Sequence, residues 1–367
     1  MSVSLLARCF PGEIRIAAAS DGILLDYALW RPGRPDGVGD LLRGRIDAVL
    51  PALGGAFVLL GDGAETGFLP LRDGTRLGEG DSVLVRISRG AQGGKGPRLA
   101  LAETDTADRT GRTGLVARGP SPLERLATQY PDAPIFCDDP ALPASLPGLR
   151  HRIRVGPDPW PPGIAAQAEA LAEPELALPG GMRASIHPTP ALVAIDMDGG
   201  GSSGQKSAKA TAQFAANRAA IGPLLHQIRL RNLGGAILLD LAGLPSRKRS
   251  ALRPEIEAAL ERDPLRPKLL GFTALGLAEI LRPRIHPPLH ELLAGPHAAA
   301  LAALAEAARF AAAPPHRLPD LLASIDVAAA LDGDPVARAA LAARAGRPIS
   351  MRIDPSLPPC GWSLRHG

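Results

Sequence analysis

Two aspartates close two apolar runs in the middle of the chain. Ala191-Leu192-Val193-Ala194-Ile195 ends in Asp196, and Gly235-Ala236-Ile237-Leu238-Leu239 ends in Asp240. Continuous apolar runs of this length read as buried strands of the parallel type, whose C-terminal ends are where α/β sheets place their chemistry. If the two strands are neighbours, ~4.8 Å apart, their carboxylates repel each other unless a cation lies between them. Mg²⁺ meets that need, because it keeps several waters and binds one or two protein carboxylates together with substrate phosphate oxygens. Mn²⁺ suits the same hard ligands. Asp198, two residues beyond Asp196, is a third candidate ligand or could orient a water. Strand-end aspartates also commonly cap the following loop, and spacing alone does not separate the two roles. Gly199-Gly200-Gly201 allows close backbone approach by a ligand, or serves as a flexible loop.

Cations gather around this pair. From Lys206 to Arg284 there are 14 Lys/Arg against 6 Asp/Glu, whereas the whole chain is only +4, so one region favours an anion. Arg229 and Arg231 precede Asp240, and Arg247-Lys248-Arg249 follows it. Such clusters suit a phosphodiester backbone, although charge clusters are also ordinary solvated faces. Only 5 of the 41 basic residues are Lys, a skew that fits either a GC-rich coding bias or bidentate phosphate contacts.

The elements that must hold these residues follow from pattern. Ser207 to Leu233 is helical in character, with Gly234-Gly235 as a stop, so strand, helix and strand form a crossover unit. A further helix fits Leu252 to Arg262 and a strand Lys268 to Phe272. Ile14 to Ile16 and Gly22 to Trp30 read as strands joined at Ser20-Asp21-Gly22, since Asp-Gly favours a tight hairpin. After a Pro/Gly-rich break at 31–39, short strands recur at close spacing: Leu42 to Leu50, Gly55 to Leu60, Thr66 to Pro70 and Ser82 to Ile87. That is the pattern of a small antiparallel barrel. It carries Phe57 and Phe68 near Arg43, Arg45 and Lys95; such aromatics stack single-stranded bases while cations hold phosphates, or else they fill the barrel core. A Gly/Asp/Thr-rich stretch from Glu103 to Gly114 reads as a linker. The tail from Ala298 alternates Ala-rich helices with a last strand, Ile349 to Ile353.

Composition bounds the rest. At 367 residues and 46% hydrophobic the chain can bury real cores in two or three domains, and with 3% aromatics these must be built from Leu, Ala, Val and Ile. Without an 18-residue apolar run, or a basic then apolar start, no membrane partner or export is expected and a cytoplasmic location is. Cys9, Cys137 and Cys360 are too scattered for a disulfide framework or a zinc half-site, so no zinc is expected.

These residues together resemble the ribonuclease E/G family of endoribonucleases. Arg43-Gly44-Arg45-Ile46 through Leu50-Pro51, Ala56-Phe57-Val58 and Gly67-Phe68-Leu69-Pro70 are similar to its OB-type RNA-binding insertion. Ala194 to Asp198, Phe214, Asn217, Gln227 to Gly235 and Leu238-Leu239-Asp240 are similar to its catalytic segment, and Pro287-Pro288-Leu289 to its end. The resemblance implies a multidomain α/β (α+β) protein with an RNase H-like/DNase I-like catalytic core and an inserted OB-type β-barrel. It would be divided as 1–38 and 131–180 (RNase H-like), 39–102 (barrel), 103–130 (linker and reduced sensor), 181–292 (catalytic, DNase I-like) and 293–367 (small α/β). It implies an Mg²⁺-dependent endoribonuclease acting on single-stranded RNA in processing and decay. Asp196 and Asp240 would be catalytic and metal-binding, with Asp198 beside them. Phe57, Phe68, Arg45, Lys95, Asn217, Arg229, Arg231, Arg247, Lys248 and Arg249 would hold RNA. An RNA-binding protein that has lost cleavage is the alternative. The chain departs from the family's pattern in several places. Asp198 stands where the family has Asn. No CPxC follows Leu289, so any homo-oligomer would lack the zinc link. The family's Arg-Thr pair for a 5′-monophosphate falls at Arg118-Gly119, and its companion Arg at Ala274, which implies reduced 5′-end sensing.

Overall fold

The computed structural model describes residues 2–61, 65–72, 74–75, 77–102, 111–199, 206–314 and 318–365. It divides into two compact units, Met1–Asp40 with Arg118–Ala168 and His290–Gly367, and Leu41–Ala117 with Glu169–Leu289. The linker reading of 103–114 falls largely outside the described residues, as does that of Gly200 and Gly201.

The first unit opens with an antiparallel meander, β1 (Ser4–Phe10), β2 (Glu13–Ser20) and β3 (Ile23–Trp30). Asp21 and Gly22 have φ of 50° and 76°, the paired positive angles that make Asp-Gly a hairpin turn. The sequence reading missed β1 because Leu5, Leu6 and Ala7 are buried on both faces, leaving no alternation to read.

The chain then enters the second unit as a barrel: β4 (Leu41–Leu50), β5 (Gly55–Leu59), β6 (Thr66–Pro70), β7 (Ser82–Arg89) and β8 (Arg98–Leu101). The order β5-β6-β8-β7-β4 closes through a β4–β5 pairing, so five strands form a closed barrel of OB type without open edges. Ile46, Ala56, Val58, Leu69, Val83, Val85, Ile87 and Leu99 fill it. A further strand, β9 (Gly114–Ala117), pairs with the start of β4, with Leu41 opposite Ala117, so part of the expected linker is barrel sheet.

Back in the first unit, α1 (Pro122–Gln129) starts at a capping box. Glu124 N–H donates to Ser121 Oγ at 3.3 Å, and Ser121 N–H to the Glu124 carboxylate at 2.8 Å. Then β10 (Ile135–Cys137), α2 (Leu142–Ser145), β11 (Ile153–Val155) and α3 (Pro162–Glu169) follow. β10 and β11 extend the meander in parallel, giving the order β11-β10-β1-β2-β3.

The rest of the second unit supplies β12 (Glu175–Leu178), β13 (Met182–Pro188), β14 (Leu192–Gly199), α4 (Lys206–Leu230), β15 (Gly235–Asp240), α5 (Ser246–Arg249), α6 (Arg253–Leu260), β16 (Lys268–Phe272) and β17 (Ala278–Arg282). Its sheet runs β12-β13-β14-β15-β17-β16. β14 and β15 are parallel neighbours joined by α4, the crossover expected from the sequence. Because β12 pairs with β13, the boundary falls after Ala168, earlier than the expected 180. Val193, Ile195, Met197, Ile237 and Leu239 pack with Ile221, Leu224 and Ile228 of α4 and Ile256 of α6 in one core.

The tail holds α7 (Leu289–Leu292), α8 (Gly295–Ala312), β18 (Asp320–Ala323), α9 (Ile325–Asp332), α10 (Pro335–Ala345), β19 (Met351–Ile353) and β20 (Trp362–Arg365). It is a three-stranded sheet, β19-β18-β20, rather than one last strand. Ala300, Ala303, Ala307, Ala328 and Ala337 are all essentially fully buried, so small side chains replace aromatics in the core.

Candidate active site

Register brings the two aspartates together. In the parallel β14/β15 pair Asp196 lies directly opposite Asp240, on strands ~4.8 Å apart. Side chains alternate across a strand, so Ile195, Met197 and Leu239 enter the core while Asp196 and Asp198 are exposed and Asp240 is half-buried on the other face. Asp198 shares that face but lies a further ~6.6 Å along β14, opposite Arg183 of β13. Among the described residues no three His, Cys, Asp or Glu side chains converge as a metal site. The register thus makes Asp196 and Asp240 the facing pair, with Asp198 further along the same face. That pair suits a hard divalent ion, which needs only one or two protein carboxylates.

Arg249 is the counterion already present. Its Nη1–H donates to Asp240 Oδ1 and its Nε–H to Leu244 O, the latter at 2.7 Å. The Arg249 side chain is 15% exposed and Asp240 44%, so the guanidinium is the more buried partner and the carboxylate the more open one. This corrects the reading of Arg249 as a free phosphate-binding cation. Arg247 and Lys248, on the same short helix, are exposed as expected.

Two more expected RNA contacts are structural. Asn217 is 0% exposed; its Nδ2–H groups donate to Gln213 O at 2.8 Å and Ala242 O at 2.9 Å, holding the loop after Asp240 to α4. Arg231 is 5% exposed and donates to the Gln227 side chain and to Ala170 O and Glu173 O, burial pulling its pKa down to about 10. Arg229 is half-buried and donates to Arg262 O. The sequence reading passed over Gln213, whose amide lies where a side chain on Gly199 or Gly243 would go. It therefore packs against the loops after both aspartate strands; its place one turn before Asn217 on α4 was the available signal.

On the barrel, Phe57 and Phe68 are cross-strand partners, edge to face with ring centroids 5.7 Å apart. Both are half-exposed, while their neighbours Ala56, Val58, Gly67 and Leu69 are buried. The two rings thus lie on the outer wall, not in the core. Gly55 makes room for them, since a Cβ there would come 2.4 Å from Phe68 Cζ. The Arg98 guanidinium is 6.0 Å from the Phe68 ring. Arg45 and Lys95 are exposed, Arg45 Nε–H donating to Gly80 O at 3.0 Å.

Residues 162–285, which include both aspartates, match the ribonuclease E/G family. Over this segment the chain is similar to that family. It is 35% identical over 129 residues to ribonuclease E of Synechocystis sp., covering 35% of this chain and 19% of that protein. It is 32% identical over 135 residues to a chloroplastic ribonuclease E/G-like protein of Arabidopsis thaliana, covering 36% and 14%. Against ribonuclease E of Haemophilus influenzae it is 24% identical over 387 aligned positions, covering 76% and 41%. The chain thus covers less than half the length of each of these relatives. At the positions expected for the family's 5′-end sensor, Arg118 is ion-paired to Asp40 at 2.7 Å, Gly119 N–H donates to the same carboxylate, and Ala274 is exposed.

Proposed function

We propose that this protein is an endoribonuclease of RNA processing or decay, cutting single-stranded RNA in the cytoplasm with one Mg²⁺ held by Asp196 and Asp240. The observation that carries this reading is the register of β14 and β15, which puts the two carboxylates opposite each other on an exposed face. A bound Mg²⁺ would lower the pKa of water and stabilise charge on the scissile phosphate. Asp196 and Asp240 would hold the ion, and the hydrogen bond from Arg249 positions the Asp240 carboxylate. Asn217 and Gln213 hold the strand-end loops. Arg247 and Lys248 attract the backbone, and Phe57 and Phe68 stack bases. Three antiparallel strands followed by two parallel ones in the first sheet support an RNase H-like subdomain, as the resemblance implies.

The Arg249–Asp240 pair favours a second reading, an RNA-binding protein in which this contact takes the place of the metal. A labelled single-stranded RNA incubated with Mg²⁺, with and without chelator, separates the two. Chelator-sensitive internal cleavage supports the enzyme; tight binding with intact RNA at every Mg²⁺ concentration supports the binder.

A further inference from the structure

Beyond the groups already placed, the second unit gathers three arginines where the barrel meets the last turn of the catalytic segment. Arg89 ends β7 and lies opposite Arg98 of β8, and Arg98 in turn lies opposite Phe68 of β6, with its guanidinium over that ring. Just after Arg89, Gly90 N–H donates to Ile285 O at 2.8 Å, which brings Arg284 alongside. Arg284 donates from Nε to Gly234 O at 3.0 Å, and its guanidinium lies across Gly235, where a Cβ would come within 2.4 Å of Nε. The absence of a side chain at Gly235, which has φ 88°, is what lets the guanidinium lie there.

Like charges facing each other across a sheet are destabilising, and among the described residues no carboxylate pairs with any of these three. Arg89 Nε is buried and has no hydrogen-bond partner, which is a cost unless something accepts from it. Burial, then the charges of Arg98 and Arg284, depress the Arg89 pKa. An anion with several acceptor oxygens would relieve both costs. Arg284 lies at the start of β15, five residues or ~17 Å from Asp240, so this anion would not be the one being cut.

We infer that Arg89, Arg98 and Arg284 form a phosphate-binding seam that continues the Phe57–Phe68 platform and grips RNA backbone at the end of the catalytic sheet remote from the aspartate pair. The inference rests on the RNA reading above. It adds an anchor that is distinct from the cations around Asp240 and independent of metal.

The test is fluorescence anisotropy of a labelled unstructured uridine RNA across a salt series, in chelator so that no cutting occurs. The proteins are the wild type, Arg89→Gln/Arg98→Gln, Arg89→Lys/Arg98→Lys and Phe57→Ala/Phe68→Ala. Two lost phosphate contacts should lower the log–log salt slope by ~1.4, at ~0.7 each for single strands, and the Lys pair should restore it. Melting curves should be unchanged or raised by removing the facing charges. An unchanged slope in the Gln pair, with binding still weakened in the Phe pair, overturns the seam and leaves the RNA reading standing. No binding by the wild type at about 50 mM salt, where electrostatic affinity is high, overturns both.

Discussion

On the proposed function Asp196 and Asp240 act only as a pair. Asp196→Asn or Asp240→Asn should abolish cleavage and weaken Mn²⁺ binding measured by calorimetry, while leaving RNA affinity within about twofold. Retained cleavage in either variant would remove the assignment. Asn217 should behave in the opposite way. Its amide holds Ala242 O in a fully buried position, so Asn217→Ala should cost about 1–3 kcal/mol of stability in denaturant unfolding, with no direct loss of RNA contacts. The aspartates were legible because each ends an uninterrupted apolar run, a pattern that specifies both strand and edge. Arg231, Asn217 and Arg249 were misassigned for a shared physical reason. Polarity in a sequence reads as surface, and only the tertiary neighbours, the carbonyls of Ala170, Glu173 and Ala242 and the Asp240 carboxylate, show that these side chains tie segments together.

The barrel strands and the β14–α4–β15 crossover were legible from apolar pattern and turn residues, since each was long enough to show its own period. β12 and β18 were not, because strands of four residues carry too little pattern. Pattern also left open which wall of the barrel Phe57 and Phe68 occupy. With both rings on the outer wall, Phe57→Ala and Phe68→Ala should weaken single-stranded RNA binding by about 1–3 kcal/mol per stacked base. The same changes should fall well short of the ~3–5 kcal/mol destabilisation of a core Phe→Ala. Binding curves beside thermal melts decide between the two, and a large stability loss with unchanged affinity would put the rings back among the core residues.

For the whole molecule, the arrangement around Arg118 bears on how substrates are chosen. A terminal phosphate is told from a hydroxyl by several fixed charge-assisted donors, and here Arg118 is engaged by Asp40 while Gly119 and Ala274 offer no side-chain donor. Two RNAs differing only in a 5′-monophosphate or 5′-hydroxyl should therefore be cut at rates within a few-fold of each other. A preference on the order of tenfold, ~1.4 kcal/mol, would point to donors elsewhere. In the described residues no helix is long and apolar enough to cross a membrane.

The barrel begins and ends at one place. Leu41, where it starts, and Ala117, where it finishes, are register partners, so the 77 residues between the two ends of this stretch leave the flanking chain almost where they found it. In genetic terms such a stretch is a cassette: a single in-frame event can add or remove it while the ends to be rejoined stay about 5 Å apart. Replacing 41–117 with a short turn should leave the sheet that carries β14 and β15 able to form and bind Mn²⁺ at Asp196 and Asp240 while losing the stacking platform, so that, on the proposed function, grip on RNA and cutting of RNA become separately heritable traits.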